Sequence, residues 1–322
     1  WYVTKNGKDT NTGKSESAAF LTIQQAIDKS SAGDTIIVGD GSYAPINVAA
    51  SKEPLVIRST GGASKCTING GGARCVTIGT GVTTNVYIIG FTLTGGFVSG
   101  NAGSGYHGPQ YGVGAGIYGG SCSNCVITGN SSNYDSASAC KSVLYDCQIS
   151  NNTCGDWSGG VSDCVLYRCK ISSCKGRNGV GGAGSSTLMD CVIENCSSTY
   201  GPAGATDSIL YRCVVKNNST GGDRGGGVNN CTCYDCVIFG NKSVCGSGAF
   251  GGTTYNCTIV NNVNGRYESI AGGKHYNSIL GGSGAASGNV LSSSATCVSC
   301  LLWNISDRGA VLKNCMTGVP KF

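Results

Sequence analysis

The sequence predicts an all-β solenoid, a parallel β-helix with about 22 residues in each coil, where one coil is one circuit of the chain. Three observations support this prediction. A short phrase recurs at a nearly constant spacing of 21 to 23 residues, its residues alternate as they do along a strand, and no repeat has the apolar spacing of a helix. Each copy is centred on an anchor residue, and the anchors are Cys125, Cys147, Cys169, Cys191, Cys213, Cys236, Cys257, Ser278 and Cys300. Repeats of this length bury their apolar side by stacking on their neighbours.

The residues around each anchor predict how the coils stack. Most repeats have tyrosine two residues before the anchor and isoleucine or valine two residues after it, so we expect all three to share one face of a strand. The residue directly before the anchor alternates between Asp and Arg, which predicts a ladder of opposite charges between coils. The tyrosines are Tyr145, Tyr167, Tyr211, Tyr234, Tyr255 and Tyr276, and the charged residues are Asp146, Arg168, Asp190, Arg212 and Asp235.

Asparagine and glycine recur later in each repeat. Asparagine stands at the fourth or fifth position past the anchor, where it favours a left-handed corner, and stacked amides can bond from coil to coil. Glycine pairs and triplets about twelve residues past the anchor predict a second, tightly bent segment in which Cβ atoms would crowd the interior. The asparagines are Asn130, Asn151, Asn195, Asn217, Asn241, Asn261 and Asn304.

The first 45 residues differ from the repeats. Trp1–Thr4 is predicted to be a short strand, Thr22–Asp28 an amphipathic helix with Thr22 as its N-cap, and Gly33–Val38 the first strand of the stack. A helix across the first coil would cover the open end of a solenoid. We therefore expect a cap at 1–45 and β-helix coils at 46–322 in a single structural domain, with an inserted loop at 97–113.

The cap also carries a specific resemblance. Its Asn6-Gly-Lys-Asp phrase, the segments Ala19–Asp28 and Gly33–Val38, and Gly41–Tyr43 resemble the opening of secreted bacterial proteins of the pectate-lyase-like superfamily, and the repeats rich in Gly, Cys and Asn resemble the same group. The resemblance spans essentially the whole chain. It implies a right-handed parallel β-helix of three sheets and further sequence beyond Phe322. It names no activity, because that superfamily contains lyases, hydrolases, epimerases, phage tailspikes and adhesins.

Composition limits the classes of function. A net charge of +5, scattered over a chain with 12% charged residues, does not predict nucleic-acid binding, which needs a basic stripe. The chain has no apolar run of about 18 residues, so no membrane span is expected. It begins at Trp1 rather than Met, as a secreted protein does after signal-peptide removal, although a chain cut at this point would look the same. With 21 cysteines, it is expected to be secreted or on the cell surface, in an oxidising compartment.

Two cysteine pairs outside the anchors are predicted to form disulfides. Cys174 and Cys196 lie one coil apart, and Cys140 and Cys164 are 24 residues apart in corresponding bends. The anchor cysteines are expected to pack as a ladder of buried thiols, because neighbouring in-register strands orient their Cβ atoms poorly for bridging.

Three pairs have the C-x-x-C spacing of some zinc sites. On a flat strand the two sulfurs of such a pair would face opposite ways, and no histidine is close in sequence, so we interpret them as structural repetition and expect no metal site. The pairs are Cys122/Cys125, Cys233/Cys236 and Cys297/Cys300.

Candidate binding residues lie eight to eleven residues past the anchors and in the inserted loop. Stacking should align the former along one edge of the solenoid, where aromatic and arginine side chains suit a strip that binds sugars. The alternative is an ordinary solvated loop edge. The predicted carbohydrate-binding residues are Trp157, Tyr200, Arg224, Arg266 and Tyr267 on the edge and Tyr106 and Tyr111 in the loop.

Candidate catalytic residues are Asp156, Arg177, Asp223 and His107. A glycoside hydrolase needs two carboxyl groups about 5 to 9.5 Å apart, and a lyase needs acidic residues around calcium together with a basic group. Asp156 and Asp223 should be three coils apart, roughly 14 Å, which suits neither. His107 is more simply an exposed loop residue. No cofactor is expected, apart from calcium if the protein is a lyase.

The leading hypothesis is a secreted or cell-surface structural and adhesive solenoid that forms fibres and binds glycans. Its partners would be extracellular polysaccharide or copies of itself. The hypothesis rests on a regularity that serves stacking and on the lack of a clear catalytic cluster in the sequence. The alternative is a polysaccharide lyase or glycoside hydrolase, so whether the protein is an enzyme stays open.

Overall fold

The computed structural model describes residues 1–79, 85–99, 113–134, 136–222, 224–264, 267–281, 289–304 and 306–318. The chain divides into two compact units, the first comprising 1–155 and 161–169 and the second 156–160 and 170–322. In each unit short strands from successive coils pair in parallel, so the predicted all-β parallel solenoid is confirmed. No helix within the described residues is long and apolar enough to cross a membrane.

The strands of the first unit form four sheets, numbered in the order in which a full coil enters them. The first sheet contains Tyr2–Val3, Thr35–Val38, Leu55–Ser59, Val86–Ile89, Ser121–Ser123, Val143–Tyr145 and Val165–Tyr167. The second contains Gly41–Tyr43, Cys66–Asn69, Thr92–Thr94, Val126–Thr128 and Gln148–Ser150. The third contains Phe97–Val98, Ser131–Ser132 and Thr153–Cys154. The fourth contains Ile46–Val48, Val76–Ile78, Ile117–Tyr118, Ala139–Cys140 and Val161–Ser162.

The second unit repeats this order of sheets. Its first sheet contains Thr187–Met189, Ile209–Tyr211, Thr232–Tyr234, Thr253–Tyr255, Lys274–Tyr276, Thr296–Val298 and Val311–Lys313. Its second contains Lys170–Ser172, Val192–Glu194, Val214–Lys216, Val237–Phe239, Thr258–Val260, Ile279–Gly281, Leu301–Trp303 and Met316–Thr317. Its third contains Lys175–Gly176, Ser197–Ser198, Ser219–Thr220, Lys242–Ser243 and Val263–Asn264. Its fourth contains Ala183–Gly184, Ala205–Thr206, Val228–Asn229, Ala249–Phe250, Ile270–Ala271, Asn289–Leu291 and Ser306–Asp307.

The coils have three or four strands each, where the resemblance implied three sheets. The earliest coils have three strands each, and a two-residue strand of the third sheet first appears at Phe97–Val98. The third-sheet strand follows a left-handed corner at the end of the second-sheet strand, formed by asparagine, glycine or, at Ser173, serine; at Asn151, for example, φ is 55°. The bend leaves room for a short strand before the glycine-rich segment.

The predicted helix is present and is capped as expected. It runs from Ile23 to Lys29, and the Thr22 hydroxyl accepts a hydrogen bond from the Gln25 N–H at 3.2 Å. One carboxylate oxygen of Asp9 accepts hydrogen bonds from the Leu21 and Thr22 N–H groups at 2.9 Å each, which fixes the approach to the helix. The buried face of the helix packs against strands of the first and fourth sheets.

The tyrosines do not share a face with the anchor cysteines, so that expectation was wrong. The residue before each anchor has a left-handed backbone, with φ between 48° and 56° from Asn124 through Ser299. This corner separates the strand before it from the strand after it and resets the alternation of side chains. Thus Leu144 and Cys147 are both buried, whereas Tyr145 points outward and is 36% exposed.

Outward side chains form ladders from coil to coil. In the second unit, four tyrosines stack with ring centroids 5.0 to 5.1 Å apart and planes within 9° of parallel. The predicted charge ladder is present within each unit, as Arg212 Nε lies 2.7 Å from the nearer carboxylate oxygen of Asp190. The stacked tyrosines are Tyr211, Tyr234, Tyr255 and Tyr276.

The asparagines divide into two columns. Those at the fourth position past the anchor occupy left-handed corners, whereas those at the fifth position are buried and bonded to one another. Asn241 Nδ2 donates to Asn262 Oδ1 at 3.0 Å, and Asn218 Nδ2 donates to Asn241 Oδ1 at 3.0 Å. The predicted bonding between stacked amides is therefore present at the fifth position.

Neither predicted disulfide is present, because all 21 cysteines are free thiols. Cys174 and Cys196 do lie on neighbouring coils, next to the paired residues Lys175 and Ser197. Side chains of in-register strands project side by side, however, and the two thiols share a hydrogen bond instead of a covalent bond. They occupy the buried column that holds asparagine elsewhere, and the Cys196 N–H donates to Asn218 Oδ1 at 2.9 Å.

The strand register explains why Cys140 and Cys164 do not form the second predicted disulfide. Cys140 pairs with Ser162, not with Cys164. Between Ser162 and Cys164 lies the left-handed corner at Asp163, with φ of 53°, which carries Cys164 away from the strand. Both cysteines are buried thiols in the structure.

The C-x-x-C pairs also differ from expectation. Cys122 and Cys125 are both buried and share a side-chain hydrogen bond. The corner at Asn124 breaks the flat strand that the prediction assumed, so both sulfurs enter the interior. Within the described ranges, however, no group of three or more His, Cys, Asp or Glu residues is arranged to hold a metal ion.

Candidate functional site

A cleft of about 300 Å³ lies on the outer edge of the second unit. Its walls include Trp157, Tyr200, Asp207 and Arg224, which come from three coils, Tyr200 and Asp207 being in the same one. The cleft therefore depends on the stacking of coils, because residues far apart in the sequence become neighbours only in the solenoid.

Glycines between the aromatic residues account for the recess. Gly179 lies one coil beyond Trp157, and its N–H donates to the Asp156 carbonyl oxygen at 2.5 Å. A Cβ atom on Gly179 would overlap the carbonyl oxygen of Trp157, and one on Gly201 would overlap that of Asn178. The backbones of these coils thus approach as closely as glycine permits, and no side chain from Gly179 or Gly201 fills the space beside the rings.

The floor of the cleft is tied together by one buried hydroxyl group. Ser198 Oγ donates to the Gly179 carbonyl oxygen at 2.7 Å and accepts from the Gly201 N–H at 3.0 Å. The Tyr200 N–H donates to the Arg177 carbonyl oxygen at 2.8 Å. These bonds join two successive coils beneath the aromatic side chains, so the base of the cleft is preformed.

Two aromatic side chains are presented to solvent at the cleft. Trp157 is 40% exposed and Tyr200 is 64% exposed. This exposure leaves ring surface available for a ligand.

The polar wall contains a carboxylate that is fixed in place. Asp207 Oδ1 accepts from Asn230 Nδ2 at 2.7 Å, and Thr206 Oγ1 donates to Asp207 Oδ2 at 3.3 Å. Asn229 Nδ2 in turn donates to Thr206 Oγ1 at 2.9 Å. The Asp207 side chain is exposed, so it can also accept hydrogen bonds from a ligand.

Arg224 supplies the positive charge of the cleft. Its guanidinium lies over the Phe250 ring, with Cζ 6.0 Å from the ring centroid. Arg224 is exposed and lines the cleft, and a guanidinium has N–H donors but no acceptor.

The structure brings together some of the sequence-predicted residues. Trp157, Tyr200 and Arg224 line this cleft, whereas the catalytic candidates Asp156 and Arg177 flank it without lining it. Tyr267 is 46% exposed but does not line the cleft either. The candidates outside the described residues are Asp223, Arg266, His107, Tyr106 and Tyr111.

Asp207 is not among the sequence-predicted site residues. It lies 16 residues past Cys191, whereas the predicted edge residues lie eight to eleven residues past an anchor. Its position is another left-handed corner, with φ of 49°, which the corresponding residues Asp163, Ser185 and Asn230 share. The recurrence of Asp, Ser and Asn at this position of the repeat indicates the corner. It does not indicate that Asp207, rather than Asp163, Ser185 or Asn230, lines a cleft.

No protein-family model and no curated protein matches the chain. Among solved structures, the chain is similar to XylC in complex with xylose, with a TM-score of 0.58 and 11% identity over 97% of this chain and 86% of that one. It is also similar to the A-module of mannuronan C-5 epimerase AlgE4 from Azotobacter vinelandii, with a TM-score of 0.44 and 13% identity over 92% of both chains. Pectate lyase Pel9A matches with a TM-score of 0.42 and 14% identity over 89% of this chain and 76% of that one. At such identities the likeness concerns the fold alone, and the fold of this chain is a parallel β-helix, as the resemblance of its sequence implied.

Proposed function

We propose that the protein is a secreted or cell-surface β-solenoid that binds a glycan in the cleft formed by Trp157, Tyr200, Asp207 and Arg224. The observation that carries this proposal is the convergence of two exposed aromatic side chains with an exposed arginine and a fixed carboxylate around one preformed recess. Ligand sites typically combine apolar surface with a few placed polar groups and have volumes of about 300 to 1,000 Å³.

The chemistry of each side chain matches a part of a sugar. The apolar C–H face of a pyranose packs on an aromatic ring, for which Trp157 and Tyr200 are available. Hydroxyl groups donate to a carboxylate and accept from a guanidinium, so Asp207 and Arg224 supply both kinds of partner. Because the four residues are spread over three coils, an extended oligosaccharide can contact several of them at once.

The wider proposal concerns the role of the solenoid outside the cell. Its hydrogen-bonded strands and internal ladders make it suited to an adhesive module that presents the cleft and assembles into fibres. Retention on insoluble polysaccharide, together with filaments in electron micrographs at high protein concentration, would support this role. Micrographs that show only dispersed single particles at every protein concentration would contradict the proposal that the protein forms fibres.

The rival function is a polysaccharide lyase or glycoside hydrolase that uses the same cleft. Asp207 and Arg224 favour it in so far as they place an acidic and a basic group at one site. A hydrolase needs two carboxyl groups, however, and among the described residues only Asp207 supplies a carboxylate to the cleft. Binding without turnover is therefore the better proposal.

The experiment is a panel of neutral and acidic oligosaccharides, including xylo-oligosaccharides, tested by calorimetry for binding and by product analysis for cleavage. Trp157→Ala and Tyr200→Ala should each weaken the binding of the best ligand by about tenfold or more. Tyr267→Ala is the matched control, since it removes an exposed tyrosine outside the cleft and should leave binding unchanged. Binding that survives the Trp157→Ala, Tyr200→Ala double variant would refute the site. Appearance of new reducing ends or unsaturated sugars would establish the enzyme instead.

A further inference from the structure

We propose that Asp207 makes the cleft selective for neutral glycans over glycans that carry uronate carboxylates. This inference rests on the proposed glycan binding and adds the class of ligand. It follows from the fixed negative charge that lines the cleft together with Arg224.

Asp207 cannot easily turn away from a ligand. Its two oxygens are held by Asn230 and Thr206, at 2.7 and 3.3 Å, and its backbone is at a left-handed corner with φ of 49°. Both partners are neutral donors, so neither cancels the charge of the carboxylate. An ionised carboxylate has about four acceptor positions, and the two bonds leave the others for hydroxyl groups of a sugar.

The charges of the cleft balance among the described residues. Within those residues, Asp207 is the only carboxylate and Arg224 the only arginine or lysine on its walls, and the flanking Asp156 and Arg177 also have opposite signs. A site that selects a polyuronate needs an excess of positive charge, because every residue of such a polymer is negative. The described walls offer no such excess.

A neutral sugar and a uronate place different demands on Asp207. A hydroxyl group donates a hydrogen bond to the carboxylate, whereas a second carboxylate in its place has no proton to donate and repels it. Trp157 and Tyr200 do not distinguish the two, because they contact the apolar face that both sugars share. Discrimination thus falls to Asp207.

The test compares glycans that share a backbone and differ in the carboxylate. Suitable pairs are methyl-esterified against de-esterified homogalacturonan oligosaccharides, and cello-oligosaccharides against the same chains oxidised at C6. We expect the neutral member of at least one pair to bind the unsubstituted protein roughly tenfold more tightly, and the ratio to shrink as salt screens the repulsion. Asp207→Asn should reduce the ratio to about threefold or less, mainly by strengthening the binding of the acid.

Asp235→Asn is the matched control. Asp235 is also an exposed aspartate at a left-handed corner, with φ of 54°, and accepts a hydrogen bond from Asn256 Nδ2 at 3.2 Å, but it lies outside the cleft. Its substitution should leave the ratio unchanged. Uronates that bind as tightly as their neutral counterparts, or a ratio that Asp207→Asn does not alter, would overturn the selectivity while leaving the glycan site intact. If no member of either pair and no other glycan of the panel binds, both proposals are wrong.

Discussion

Arg168 donates two hydrogen bonds to Asp146 one coil away, from Nε to Oδ1 at 2.8 Å and from Nη2 to Oδ2 at 2.7 Å. Both residues have a left-handed backbone, with φ of 52° and 53°. The pair is exposed, and the Arg168 guanidinium is a main cause of the lowered pKa of Asp146. The ion pair therefore lies on the outside of a corner that the left-handed backbone forms. This corner determines which of the neighbouring side chains point into the interior.

The corner should tolerate residues according to their backbone preference. Asp235, with φ of 54°, offers a test in the second unit. Asp235→Val should destabilise the protein relative to Asp235→Gly by about 1 to 2 kcal/mol, because a β-branched residue is strained in this region and glycine is not. Urea unfolding of the two variants measures the difference. Equal midpoints would show that the backbone at this corner can relax into another conformation.

These corners also explain what the sequence could and could not predict. The spacing of the anchors predicts which residues stack, and Tyr145 does stack on Tyr167, with ring centroids 4.9 Å apart. It does not predict the side on which they stack. Side chains alternate between the two faces through Asp146 only if the backbone of Asp146 is extended, and it is left-handed instead. Asp and Arg at this position do not indicate a left-handed backbone in the way that glycine does.

Left-handed corners also explain why the positions of the cysteine side chains and of Asp207 were not predicted from the sequence. The interior placement of Cys122 depends on the corner at Asn124, and the exposure of Asp207 depends on its own corner. Trp157, Tyr200 and Arg224 were predictable because their phase within the repeat places them on one edge. The recess between them was not, since it arises from the close stacking of Gly179 and Gly201 on the coils beside them.

The buried asparagine column should contribute strongly to stability. Asn241 Nδ2 donates to the Val215 carbonyl oxygen at 2.9 Å and to Asn262, and Asn241 Oδ1 accepts from the Asn218 backbone and side chain. Asn241→Leu would leave several buried polar groups without partners, at about 1 to 3 kcal/mol for each group. We expect a loss of about 3 kcal/mol or more in the free energy of unfolding.

The control for this prediction is the neighbouring column. Asn217 is exposed at a left-handed corner with φ of 55°, so Asn217→Gly keeps the backbone and should change stability by about 0.5 kcal/mol or less. Chemical denaturation of both variants makes the comparison. A similar loss at the two positions would mean that the amide ladder adds nothing beyond ordinary packing.

Acid should destabilise the protein through His275. Burial lowers the pKa of His275 from its ordinary value of 6.5 to about 4, and its ring is bonded to Thr254 Oγ1 at 2.9 Å and the Gly272 carbonyl oxygen at 3.1 Å. The unfolded chain then binds a proton more readily than the folded one between these two values. Stability is therefore complete above about pH 6.5, falls as the pH drops towards 4, and loses about 3 kcal/mol in all.

The variant His275→Gln isolates this effect. Carboxylates also contribute to acid sensitivity. A hydrogen bond from Lys170, and a weaker contribution from Lys216, lower the pKa of Glu194. The stability that ionised Glu194 contributes is therefore lost as the pH falls through its pKa in the folded protein. That contribution is common to both proteins, so the difference between their urea midpoints from about pH 7 to about pH 4 reports His275 alone. Parallel pH profiles would show that His275 is protonated without cost.

The state of the cysteines can be measured directly. All 21 are free, and only Cys245 and Cys315 are more than slightly accessible. Burial raises the pKa of Cys164 and of Cys231 to about 12, so these thiols are neither exposed nor ionised at neutral pH. A thiol reagent should therefore modify about two cysteines quickly in the native protein and all 21 in denaturant without a reductant. A denatured count of 19 with Cys174 and Cys196 unmodified would mean that those two stacked thiols oxidise after all, since each disulfide removes two reactive groups from the total of 21.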